Sequence, residues 1–252
     1  MISKAKIKYI HSLELKKNRI SESSFVAEGP KVVGDLLVSV RPRIIVATAE
    51  WLDANRHSLP NNIEAIEVTA EELHKVSFLQ TPQDVLAVFD IPKAKDANID
   101  ISTEKLSLAL DGVQNPGNLG TIIRIADWFG IENIYCSLDT ADAYNPKVVQ
   151  ATMGSIARVN IVYTDLVKML SSVPNDYPIY GTLLDGNDIY KSRLTQHGII
   201  VMGNEGNGIS SEVRRLINSR LLIPNFSTST DRAESLNVAI ATAIACSEFR
   251  RR

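Results

Sequence analysis

From residue 106 onward, short apolar runs alternate with helical segments, and this alternation restricts the fold more than any other feature. Strand candidates lie at 106–110, 133–136, 158–162, 178–182, 199–202 and 221–223. Helix candidates lie at 118–129, 146–156, 165–171, 210–218 and 234–250. Several strands are nearly all apolar, as when helices cover both faces of a sheet. The pattern predicts an α/β domain around a largely parallel sheet, with ligands beyond the carboxyl ends of the strands.

The polar stretch 93–105 lacks apolar periodicity and reads as a linker between an N-terminal domain, 1–92, and a C-terminal domain, 106–252. The N-terminal part is also mixed: 4–18 and 30–38 look helical, while 24–27, 43–47 and 85–89 look extended. Its start is basic, with Lys4, Lys6, Lys8, Lys16, Lys17 and Arg19 against Glu14 alone. Net charge over the chain is only −2, which excludes coating nucleic acid by charge alone but allows a local basic face. With 44% hydrophobic residues, the chain can bury a real core. Two cysteines, Cys136 and Cys246, and four scattered histidines argue against a disulfide framework or a metal site. The start has no apolar leader-like run, and the longest apolar stretch, 238–246, is too short to span a bilayer. A reduced cytoplasmic protein, without metal and away from membranes, is expected.

Three loops carry chemistry, and each follows a predicted strand. The first runs from Asp111 through Asn115, Pro116, Asn118 and Gly120 to Arg124. Asn118 is expected to cap the helix that follows, with Arg124 on its outer face. Arg124 then either pairs with Asp127 on the surface or grips an anion near the helix start. The second loop, Gly203-Asn204-Glu205-Gly206-Asn207-Gly208, brings three glycines after a buried strand. It completes neither a dinucleotide fingerprint nor a phosphate loop, so it is either a tight turn or a close approach to an uncharged or cationic ligand. The third segment runs from Ile223-Pro224, through a flexible Ser/Thr-rich stretch, to Ser235-Leu236-Asn237 before an apolar helix.

Together the three loops resemble the signature motifs of the SpoU (TrmH-type) RNA methyltransferases. The first motif is matched by Asn115-Pro116, Asn118, Gly120, Arg124 and Phe129-Gly130. The second is matched by Gly203-Asn204-Glu205-Gly206 and Gly208, and the third by Ile223-Pro224 and Ser235-Leu236-Asn237. The N-terminal part, over 10–19 and Phe25-Val26-Ala27-Glu28-Gly29-Pro30-Lys31, is similar to the family's substrate-binding module, a small α/β domain like a ribosomal protein. The resemblance implies a C-terminal SPOUT domain tied in a deep trefoil knot, an exception to the rule against threading. It implies methyl transfer from S-adenosyl-L-methionine to a ribose 2′-hydroxyl in structured RNA, with 23S ribosomal RNA favoured over tRNA and over a catalytically silent RNA-binding homologue. It also implies a homodimer with a shared active site. By motif position the catalytic residues are Arg124, Asn118, Glu205, Ser235 and Asn237, and the cofactor residues are Gly203, Asn204, Gly208, Ile223, Leu236 and Asn237. One departure stands out: the stretch between Pro224 and Ser235 is longer than the family's and lacks the glycine usual soon after the proline.

Overall fold

Each apolar run read as a strand is a strand in the computed structural model, which describes residues 2–60, 62–93, 105–229, 231 and 233–251. Most of the stretch read as a linker, 94–104, lies outside the described residues. In chain order the first elements are α1 (Lys4–Ser12), α2 (Lys16–Glu22), β1 (Ser24–Glu28), α3 (Pro30–Leu37), β2 (Pro42–Ala47), α4 (Ala49–Asn55), β3 (Glu64–Glu67), α5 (Ala70–Val76) and β4 (Val85–Asp90). There follow β5 (Leu106–Asp111), α6 (Pro116–Trp128), β6 (Asn133–Cys136), α7 (Pro146–Ala151), β7 (Asn160–Tyr163), α8 (Leu166–Ser171), β8 (Ile179–Asp188), β9 (Gly198–Gly203), α9 (Ser211–Arg214), β10 (Ser219–Leu222) and α10 (Val238–Arg251). These elements form two compact units. One is Met1–Lys93 with Asp142–Ala157; the other is Ala94–Ala141 with Arg158–Arg252.

The first unit is a four-stranded mixed sheet in the order β1-β4-β2-β3, in which only β2 and β3 run parallel. Ile10, Leu13, Val26, Val46, Leu73, Leu86 and Val88 pack in one core cluster. The segment Asp142–Ala157 belongs to this unit: α7 packs on β1, burying Val148 and Val149, and the Tyr144 ring lies 4.9 Å from that of Phe25. The continuous helix expected over 4–18 is broken. Arg19, 2% exposed, donates from its guanidinium to the carbonyls of Leu13 and Glu14, both at 2.7 Å, and so satisfies groups a continuing helix would have used. Its charge is met by Asp142 at 2.5 Å. Arg19 therefore faces inward and drops out of the basic surface, which retains exposed Lys4, Lys8, Lys16 and Lys17. Sequence patterning missed α4, β3 and α5. The sequence of β3, Glu64-Ala65-Ile66-Glu67, has no apolar run, whereas α5 carries a legible signal in the Thr69/Glu72 capping box.

Because one ionised partner of Arg19 comes from a segment 123 residues away, Asp142 is a long-range tie within this unit. Asp142→Asn keeps the shape but removes the charge, and is expected to cost about 1–3 kcal/mol of stability. A denaturant melt would measure it; an unchanged midpoint would show that the pair contributes nothing.

In the second unit the strand order is β10-β8-β9-β5-β6-β7, and every pairing is parallel, as the apolar runs predicted. The central strands β5 and β9 are buried along almost their whole length. Between β8 and β10 the register jumps: Arg220 opposes Gly181, but Leu221 opposes Asn187. Residues 182–186 thus bow out of the ladder. Gly186 makes this possible, since a Cβ there would lie 2.5 Å from the Leu221 carbonyl carbon. At the other end of the unit, Arg250 donates to the carbonyls of Phe129 at 2.8 Å and Gly130 at 3.1 Å, groups that α6 leaves unpaired at its end. Both cysteines are buried; burial pushes the Cys246 thiol up to about 12 and raises that of Cys136 as well, so both act as core residues.

Candidate active site

The chain lays down β5, β6 and β7 towards one edge of the sheet, then β8, β9 and β10 towards the other. The switch point falls between β5 and β9, where open α/β sheets form their ligand crevices. The loops that leave these two strands are bound to each other. Ser210 donates its backbone N–H to Asp111 Oδ2 at 2.7 Å, and Asn204 Nδ2 donates to the Gly112 carbonyl at 2.7 Å. Gly112 has φ +71°, a left-handed conformation that glycine adopts without strain. Asn204 also organises its own loop. Its Oδ1 accepts from the N–H groups of Gly206 and Asn207, and its backbone pairs reciprocally with Gly208. Gly203 must be glycine for that closure, because a Cβ would lie 2.3 Å from the Gly208 carbonyl carbon.

The helix α6 begins two residues earlier than expected. Asn115, not Asn118, caps it, accepting from the N–H of Gly117 at 2.8 Å and of Asn118 at 3.1 Å, with Pro116 in the first turn. Asn118 is thereby free to reach sideways. Its Nδ2 donates to Glu205 Oε1 at 2.8 Å, and its Oδ1 accepts from Asn237 Nδ2 at 2.9 Å. Asn237 in turn caps α10, accepting from Ala239 N–H at 3.0 Å. One hydrogen-bonded chain thus joins the three sequence motifs, across separations of 87 and 119 residues.

Arg124 does not join this chain. It lies six residues beyond Asn118 on α6, so it is turned about 120° around the axis and about 9 Å along it. It is exposed and has no ion pair among the described residues. The Arg124–Asp127 pair considered from the sequence is not formed, because Arg158 takes Asp127 with a two-pronged contact at 2.8–3.0 Å. Ser235 is exposed at the edge of the cleft described next.

A cleft of about 1460 Å³ opens beyond the ends of β8, β9 and β10. Gly203, Asn204, Gly208, Ile223 and Leu236 all line it, as do Glu205 and Ser235; Asn237 belongs to the hydrogen-bonded chain instead. The volume exceeds the roughly 300–1,000 Å³ usual for a single small molecule, leaving room for two reactants. Met202, Ile209 and Leu221 supply apolar wall, and the Gly203 loop borders it. Residues 182–185 were missed as part of the wall. Gly186 was the available signal, since a glycine inside a strand pattern marks a bulge or a close backbone approach. Among the described residues, no three His, Cys, Asp or Glu side chains are placed to hold a metal ion, and no helix is long and apolar enough to cross a membrane.

Comparison with known proteins agrees with this geometry. A family model described as the SpoU rRNA Methylase family matches residues 105–247, and one described as an MRM3-like substrate binding domain matches residues 4–87. The 23S rRNA (guanosine(2553)-2′-O)-methyltransferase RlmP of Bacillus subtilis (strain 168) is 30% identical over 245 residues, 95% of this chain and 93% of its own length. A solved TrmH-family protein from Porphyromonas gingivalis is 44% identical with a TM-score of 0.90, covering 100% of this chain and 99% of that one. An AdoMet-bound rRNA methyltransferase from Sinorhizobium meliloti is 30% identical with a TM-score of 0.86, covering 100% and 96%.

Proposed function

Because this chain belongs to the SpoU rRNA methylase family, we propose that it methylates a ribose 2′-hydroxyl of ribosomal RNA, with S-adenosylmethionine as the methyl donor and no metal. The observation that carries this reading is the Glu205–Asn118–Asn237 chain, which gathers the three motifs beside a cleft large enough for a cofactor and a nucleotide. The cleft suits the cofactor: apolar walls for an adenine, a closed glycine loop that lets a ligand approach the backbone, and Glu205 as an acid on the wall for a cationic ligand. Gly203, Asn204, Gly208, Ile223 and Leu236 would hold it. When bound, S-adenosylmethionine supplies an electrophilic methyl group on a sulfonium.

The protein's own task is the hydroxyl, which is almost fully protonated at neutral pH. Arg124 acts as a fixed cation rather than a base, since an arginine is effectively always charged. It binds a phosphate next to the target and stabilises negative charge growing on the ribose oxygen. Each unit by which it lowers that hydroxyl's pKa is worth about 1.4 kcal/mol. Asn118, gripped from both sides, holds the ribose in line, with Ser235 beside it. The protein works as a cytoplasmic homodimer whose catalytic domain carries a trefoil knot. Arg124 of one subunit serves the Glu205, Ser235 and Asn237 cluster of the other. Residues 1–92 form the RNA-binding module, like a small ribosomal protein, and Lys4, Lys8, Lys16 and Lys17 supply phosphate contacts.

The test is mass-spectrometric mapping of ribose methylation. Ribosomal RNA from cells lacking the protein is incubated with purified protein and S-adenosylmethionine in chelator. One new 2′-O-methyl nucleotide is expected. Methylation confined to a base, or none at all, would overturn the reading.

A further inference from the structure

A cavity of about 420 Å³ lies in the first unit, where β2 and β3 begin and β4 ends, and it belongs neither to the cleft nor to the three motifs. Among the described residues its charged lining is two guanidiniums, Arg41 and Arg43, against one carboxylate, Asp90, a net charge of +1. Asp90 is bound to both arginines. Its backbone N–H donates to the Arg41 carbonyl at 3.1 Å, and its carboxylate accepts from Arg43 Nε. The register of β2 on β4 shifts between Pro42 and Ile44, so Arg43 is an extra residue in the ladder, and such a bulge re-aims a side chain. With Asp90 taken by Arg43, Arg41 is exposed and makes no ion pair with a described residue. Glu64, which follows the lining residue Ile63, is already held by Lys6 at 2.9 Å.

An unpaired guanidinium lining a cavity favours an anion, and its fork matches a phosphate. Pro60 and Ile63 add apolar wall to the same cavity, and the Asn62 carboxamide adds a donor and an acceptor. The volume falls within the range for one small molecule and exceeds what the carboxylate of an acidic peptide would fill. A phosphate, an apolar ring face and a polar edge together describe a nucleotide. The helix α1, already assigned RNA contacts through Lys4 and Lys8, adjoins the cavity: Tyr9 hydrogen-bonds Arg43, and Lys6 pairs with Glu64. Resting on the reading of residues 1–92 as the RNA-binding module, we propose that this cavity is a nucleotide site of that module. Arg41 grips the phosphate of one unpaired nucleotide, whose sugar and base lie against Pro60, Ile63 and Asn62. The nucleotide is unpaired because a base inside a cavity must leave its stack.

The experiment compares the full-length wild type with Arg41→Ala, Arg41→Lys and, as a control, Arg56→Ala, an exposed arginine of the same unit outside the cavity lining. Filter binding at several salt concentrations uses a large-subunit ribosomal RNA transcript containing 4-thiouridine. Arg41→Ala should weaken binding about tenfold and make the salt slope shallower by about 0.7–0.9, the value of one phosphate contact. Arg41→Lys should keep the slope, because it keeps the charge. Photocrosslinking of the wild-type complex should join the RNA to a peptide that includes residues 41–43 or 60–63. Unchanged affinity and slope for Arg41→Ala overturn the proposal. So does an equal loss for Arg56→Ala, which would make the effect one of diffuse charge, and so do crosslinks confined to other peptides. If wild type binds no RNA, the RNA-binding reading fails and this proposal with it; if wild type binds RNA and only the Arg41 results fail, that reading stands without the site.

Discussion

Arg124→Ala is expected to lower the rate of methyl transfer by about a hundred- to a thousandfold while leaving the fold and cofactor affinity unchanged. The separation of effects follows from where Arg124 sits. It is exposed on α6, pairs with no described residue, and lies outside the lining of the cleft. Removing it therefore opens no cavity, strands no buried charge and leaves the lining of the cleft unchanged. What is lost is a cation that matters most when negative charge builds on the ribose oxygen, so the loss should fall mainly on kcat. Arg124→Lys should recover only part of the rate, because a lysine offers a point charge where the guanidinium offers a fork matched to a phosphate. Single-turnover kinetics with saturating RNA and cofactor would measure both variants. A rate for Arg124→Ala within a few-fold of wild type would remove Arg124 from the mechanism.

The sequence made the second unit's sheet legible because parallel strands buried on both faces must be almost wholly apolar, and β5 and β9 are. It made the three motif loops legible for a related reason: glycines and asparagines cluster where backbones must approach closely or turn. It could not tell which asparagine caps α6. Asn115 and Asn118 both precede apolar periodicity, and only Pro116, suited to a first helical turn, favoured the earlier one. That one error hid how the motifs are tied together, since it gave Asn118 a local role in place of its contacts to Glu205 and Asn237. Charged residues were the least legible. Arg124 and Asp127 have helical spacing for a pair, but Asp127 is taken by Arg158, 31 residues away. Arg19 looked like part of a basic surface and is buried against Asp142. The physical reason is common to both. Burial of an apolar run is dictated locally by its period, whereas the partner of a charge depends on which distant segments the fold brings near. The same holds for Asp142–Ala157, whose helical pattern said nothing of which unit it would pack with.

Mixing two inactive variants should restore activity if each site is built from two subunits. On α6, Asn118 is turned towards Glu205 and Asn237 of its own chain, while Arg124 points about 120° away from it. The two side chains thus project from different faces of the helix, and a second copy of α6 related by a two-fold axis could present its Arg124 to the first copy's cluster. Glu205→Ala is a suitable partner for Arg124→Ala. It removes the acid that grips Asn118 and leaves the helix caps at Asn115 and Asn237 in place. Each homodimer should be nearly inactive. In a mixed dimer, one site combines both lesions and the other has none. With free exchange, half the dimers in an equal mixture are mixed, so roughly a quarter of wild-type activity should return. Exchange itself must be followed independently, by native mass spectrometry of differently tagged subunits. Proven exchange with no recovery would place Arg124 in the same site as its own Glu205. The Asn118–Glu205–Asn237 chain would then have to rearrange when RNA binds, which crosslinking between positions 118 and 237 would block.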